Sequence, residues 1–243
     1  MYNEYKKKEL VLKVTKTEQL NNLFERWSAE KPCNIFMKDG IVCEENYEGV
    51  LYILKDVNNA KPDELNDMRI DVQESCDGGR TWFNVARWTS ALLDGKSFEQ
   101  FEYDKKLAYG KDDHTFQHVQ MRRAAVVNLK KEAGKSCAND NEINRFACEH
   151  KEYLREEIEI CDPKMIVVCG VGIFKGAKNV LGNLVPIQKE RPKFELAQNW
   201  EIATATLNGK TFPVVQFRHP STGCNKEKSY NDMLKIRDFI ADL

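Results

Sequence analysis

Asp56, Asn128 and His219, three residues able to move a proton or read a hydrogen-bonding ring, stand at or just beyond the ends of the apolar runs VLYIL, AAVVN and PVVQF. Each side chain therefore follows a stretch that favours burial. A carboxylate can position water, an imidazole can stabilise charge on a leaving group, and a carboxamide offers a donor and an acceptor together. Brought together, the three would suit hydrolysis of a bond to a hydrogen-bonding heterocycle. Each also has a plainer use. Asp56 suits a turn or helix cap where a strand breaks, Asn128 can satisfy strand-end backbone groups, and His219 can be a surface residue held by Pro220.

The elements that must position them follow from periodicity. Runs at Val50–Leu54, Ala124–Asn128, Met165–Cys169 and residues 213–217 are short, apolar and rich in β-branched residues, as buried parallel strands are. Between the second and third, Ile143, Phe146, Ala147, His150, Tyr153, Leu154 and Ile158 recur at helical spacing, and Pro163 closes the helix before MIVVC. This is βαβ logic. Thr15 with Glu18 forms a capping box ahead of Leu20, Leu23, Phe24 and Trp27, and Tyr230, Met233, Leu234, Ile236, Phe239 and Ile240 predict a C-terminal helix. Asn208-Gly209 between two β-rich runs predicts a hairpin. The expected architecture is a single α/β domain over residues 1–243: a central, mainly parallel four-stranded sheet, helices on both faces, and one flanking antiparallel hairpin strand. Residues 94–120 are polar and read as a long loop or insertion. Parallel sheets bind ligands beyond the carboxyl ends of their strands, where the candidate residues fall.

Composition narrows the function classes. Lys and Arg total 37 against 38 for Asp and Glu, a net charge of −1, so no field of one sign drives non-specific binding to duplex nucleic acid. A local cluster at Arg122, Arg123, Lys130, Lys131 and Lys135 is either a backbone contact or a solvated face. The 8 cysteines contain no CxxC pair, and MYNEYKKKEL has no signal-peptide core, so a reducing, cytoplasmic setting is expected. No apolar run is long enough to cross a bilayer. His114 and His118 lack a third ligand nearby and read as part of a solvated loop, so no metal is expected. His150 reads as a satisfied core residue, and the glycines of GVG at 170–172 as turn residues.

The order of the pieces resembles the uracil-DNA glycosylase superfamily, especially its iron-sulfur branch, from about Val50 to Ser221. LYILKDVN is similar to the motif whose acidic residue positions water, and GGRTWFNVARWTSALLDG to the segment that brings an aromatic against a flipped base. RRAAVVNLKK is similar to the strand and Asn that read the pyrimidine edge, EIEICDPKMIVVCG to the unit after it, and VVQFRHPST to the His-Pro-Ser motif. The resemblance implies a cofactor-free, monomeric enzyme that extrudes a deaminated base, uracil first, and cleaves its N-glycosidic bond. Asp56 would position water, His219 stabilise the departing base, Asn128 read it, and Trp82 or Phe83 stack on it. Ser221, Thr222, Lys130 and Lys131 would hold phosphate.

Departures refine the expectation. No CxxC or Lys-Cys pair is present for a cluster, and Val57 replaces a Pro. Thr222, Gly223 and Cys224 stand where many relatives carry Pro or a wedge residue, which suits single-stranded or distorted DNA. Asn58 replaces the Tyr that excludes thymine, so tolerance of other deaminated bases is expected. Two rivals remain: a nucleic-acid or nucleotide-binding protein without catalysis, and a hydrolase of free nucleosides.

Overall fold

The computed structural model describes residues 14–57, 66–74, 79–134, 138–196 and 200–242. In chain order the elements are α1 (Lys16–Glu30), β1 (Gly40–Ile41), β2 (Val50–Leu54), α2 (Met68–Glu74), α3 (Gly79–Asp94), α4 (Phe98–Tyr109), α5 (Asp113–Met121) and β3 (Ala124–Asn128). There follow α6 (Asp140–Glu149), α7 (Lys151–Cys161), β4 (Met165–Cys169), α8 (Phe174–Leu181), β5 (Val185–Pro186), β6 (Ile202–Leu207), β7 (Lys210–Phe217) and α9 (Lys226–Ala241).

One sheet runs β1-β3-β2-β4-β7-β6-β5, and its middle four strands, β3, β2, β4 and β7, are mutually parallel. Alternate residues on these strands feed two separate cores. Val50, Tyr52, Leu54, Val167, Cys169, Val215 and Phe217 pack with Trp88, Phe101, Phe116 and Tyr230 on one face. Leu51, Ile53, Ile166, Val168 and Val214 pack with Leu20, Trp27, Leu154 and Phe174 on the other. Burial on both faces is why the central stretches of these strands are mostly apolar rather than alternating.

Local signals behave as their chemistry requires. Thr15 caps α1 by accepting from the Glu18 amide, and Glu18 returns a carboxylate to the Thr15 amide at 2.8 Å. Asn208 and Gly209 both take positive φ, 49° and 75°, which is what a two-residue hairpin turn demands. The expected helix after β3 is two helices, because the chain bends at His150 (φ −113°, ψ 20°) before α7 begins.

Two expectations need correction. The sheet has seven strands rather than four and a hairpin strand, because β1 and β5 add antiparallel edges of two residues each, too short to carry any alternation. Residues 94–120 hold α4 and α5 instead of a long loop. Ser97 and Asp112 cap these helices, but α4 buries only Phe101 and so shows little periodicity. His114 and His118 accordingly lie on α5, where His118 Nε2 meets the Gln73 carbonyl, and not in a loop. The 6 described cysteines are all free. Among the described residues no helix is long and apolar enough to cross a membrane.

Candidate functional site

The sheet has one topological switch point: from β2 the chain goes outward to β3 on one side, and then to β4 on the other. Strand order reverses there, and the crevice beyond the carboxyl ends of β2 and β4 is where an open parallel sheet exposes loops without covering them. Pairing of Leu54 with Asn128, Ile53 with Val168, and Cys169 with Phe217 brings the four strand ends to one edge.

Asp56 sits just past β2, half-buried. Its segment stays bound to the neighbouring chain beyond the sheet, with Lys130 N donating to Lys55 O at 3.0 Å and Gly134 N to Val57 O at 2.7 Å. The Asp56 carboxylate lies against Gly134 so closely that a β-carbon there would collide with Oδ2. Burial raises the Asp56 pKa above its usual 3.8; Lys130 and Lys55 act against the rise, and Glu142 and Asp140 add to it. Lys55 pairs with Asp140 at 2.5 Å, and its Cε lies 3.5 Å from where a β-carbon on Gly170 would stand. Gly170 takes φ 137°, and a β-carbon on Gly172 would strike the Asp140 carboxylate. Gly172 therefore does more than turn the chain: it leaves room for the Asp140 carboxylate of the Lys55–Asp140 pair.

His219 follows β7, which is separated from β2 by β4 alone. Its Nδ1 lies 2.7 Å from Ser221 Oγ and accepts from the Ser221 amide at 3.3 Å. An Nδ1 that accepts a backbone N–H carries no proton, so the neutral ring keeps its hydrogen on Nε2, which has no hydrogen-bond partner among the described residues. Burial lowers the His219 pKa to about 4, helped by Lys55 and opposed by Asp140, so the ring is neutral at physiological pH. Asn84, buried on α3, donates to the Pro220 carbonyl at 2.6 Å and fixes this turn.

The remaining candidates divide. Asn128 is 1 % exposed, and its carboxamide donates to Asp39 Oδ2 at 2.9 Å while its own amide N–H donates to the same oxygen at 2.8 Å. It stands on β3, on the far side of Asp56 from His219. Trp82 packs against the core of the α3 face, whereas Phe83 borders a surface cavity. Ser221 and Thr222 are exposed on the turn, with Thr222 N donating to His219 O at 3.0 Å. Asn58 and Lys135 lie outside the described residues.

The two lysines are placed against the phosphate role expected of them. Lys131 is wholly buried between Asp39 and Glu157, so no phosphate in solvent reaches it. Lys130 is 7 % exposed and pairs with Glu142. Arg122 bonds Asn46 at 3.1 Å, and Arg123 pairs with Glu48 at 2.6 Å and Asp94 at 2.8 Å. The described members of the sequence cluster of positive charge are thus taken up by internal partners.

Lys55, Asp140, Gly134, Asp39 and Asn84 were not among the sequence candidates. Lys55 adjoins Asp56, but its partner is 85 positions away, a distance at which sequence carries no signal. Comparison of the chain with protein-family models and with curated proteins gives no match.

Proposed function

We propose that the chain is an N-glycosyl hydrolase acting on a deaminated base, uracil first, in single-stranded or distorted DNA. The observation that carries the reading is the pairing of unlike titrations across the β4 end: a half-buried Asp56 with a raised pKa on one side, and on the other a His219 held neutral, its Nε2–H without a partner among the described residues. A carboxylate nearer neutrality is a better base toward water, and a neutral imidazole donates to an oxyanion without first losing a proton. With β4 between the strands they follow, the two residues flank the end of that strand. Asp56 orients water toward the anomeric carbon as the glycosidic bond lengthens, and His219 takes the charge that gathers on the departing base. Incubation with uracil-containing single and double strands, followed by cleavage of abasic sites, tests this directly. Release of no deaminated base from any substrate overturns it.

A second reading, nucleotide or nucleic-acid binding without turnover, is favoured by one observation: the Asn128 carboxamide, the expected reader of the base edge, is engaged by Asp39. Salt-dependent binding with no base release would select it. Turnover lost in Asp56→Asn would exclude it.

A further inference from the structure

Beside the His219 turn, a cavity of about 380 Å³ is lined by Arg80, Phe83, Asn84, Arg87, Gly223 and Lys226, together with Asp113 and Cys224. Arg80, Phe83, Asn84 and Arg87 occupy positions i, i+3, i+4 and i+7 of α3, so one helix face supplies most of the lining. Lys226 enters from the first turn of α9, and Arg80 reaches to within 3.4 Å of where a β-carbon on Gly223 would stand.

The charges here differ from the positive cluster around β3. Among the described residues none of Arg80, Arg87 and Lys226 makes an ion pair, whereas Asp113, the cavity's carboxylate, pairs with Lys105. Arg87 is 2 % exposed, and its guanidinium makes one hydrogen bond among the described residues, to Asn84 Oδ1 at 3.0 Å. The Glu102 and Asp113 carboxylates act on this guanidinium through space, but its one hydrogen-bond partner among the described residues is neutral, which leaves donors of a buried charge for an anion to take up. The Arg87 carbon Cζ, Lys105 Nζ and Lys226 Nζ stand 5.2, 5.1 and 5.9 Å from the Phe83 ring centroid, so positive charge gathers around one ring.

We propose that this cavity binds the phosphate group of a phosphate ester, carried either by a free nucleotide or by a nucleic-acid strand. Arg87 supplies the buried fork, Arg80 and Lys226 close on the anion from α3 and α9, and Phe83 offers an apolar wall to whatever the phosphate carries. Burial pulls the Arg87 pKa down from its usual value, a penalty that a bound anion would offset. The choice of a nucleotide as bearer rests on the proposed function; the anion site itself does not.

Titration calorimetry on the full chain at low salt tests it with inorganic phosphate, thymidine 5′-monophosphate, thymidine and a short oligothymidylate. Thymine is 5-methyluracil, so base release is followed alongside, and binding is scored under conditions where none occurs. Binding of the phosphate compounds but not of thymidine is expected, with affinity falling at least tenfold in the surface double variant Arg80→Gln/Lys226→Gln. Arg87→Gln should abolish binding; if circular dichroism finds it unfolded, the double variant decides. An oligothymidylate that binds more tightly than the mononucleotide identifies a strand as the source, and the reverse order identifies a free nucleotide. Absence of binding by every phosphate compound, or unchanged affinity in the double variant, overturns the proposal.

Discussion

The Asn84 carboxamide donates to the Pro220 carbonyl at 2.6 Å, joining α3 to the turn that carries His219 across 136 positions of sequence. Asn84 also accepts from Arg87, so one buried amide links the His219 turn to the cationic cavity. Asn84→Ala leaves both partners short of a bond and should destabilise the fold by about 1–3 kcal/mol, read by urea denaturation. An unchanged midpoint would show that the turn is held elsewhere.

The pKa of His219 gives a spectroscopic prediction. Its ring resonances should titrate near pH 4 rather than near 6.5, and Lys55→Met should move that midpoint upward by removing a neighbouring positive charge. Below pH 6.5 the unfolded chain takes up a proton that folded His219 refuses until about pH 4, so its contribution to stability is lost as pH falls through that window. Proton NMR across pH 3–8 decides; a midpoint near 6.5 would mean the ring is solvated.

For the proposed reaction, Asp56 must be ionised. Turnover should rise with pH through an Asp56 pKa that lies above the usual 3.8, then level off. Asp56→Asn should remove both the activity and that limb. His219→Gln should lower the rate by about 10²–10³, the effect of losing one donor to a developing anion. Steady-state base release across pH measures all three.

Gly134→Ala offers a steric test. The added methyl would displace the Asp56 carboxylate, so the proposed turnover should fall while the fold persists, because Gly134 is at a chain segment outside helix and strand. Comparison of base release with thermal unfolding separates the two effects.

The buried trio behaves differently from the site. Burial and the Asp39 carboxylate push the Glu157 pKa well above 4.5, against the opposing pull of Lys131. Folded Glu157 therefore holds a proton that the unfolded chain releases, and this contribution to stability fades as pH rises above 4.5. Glu157→Gln should flatten that dependence. Lys131→Met leaves buried carboxylates without their cation and should cost about 3–5 kcal/mol, measured by denaturant unfolding at several pH values.

Local physics made much of the fold legible from the chain alone. Strands β2, β3 and β4 begin and end where the apolar runs do, because residues buried on both faces of a sheet admit no polar substitution. The Thr15 capping box and the Asn208-Gly209 turn are equally local, since each is decided by atoms within three residues. Asp56 and His219 stand out in the sequence because each falls two residues beyond an apolar run that is a strand. What the chain alone could not disclose lies in pairings over long separations. Lys131 reads like Lys130 in sequence, yet Lys131 is sealed between Asp39 and Glu157, whereas the nearly buried Lys130 reaches out to the partly exposed Glu142. Asn128 reads as a free amide until Asp39, 89 positions away, is seen to hold it. Arg87 reads as one charge among many until its helix face meets the start of α9 around a cavity. A side chain's type is set by sequence, but its solvation and its partner are set by what folding brings within a few ångströms, and the chemistry depends on those.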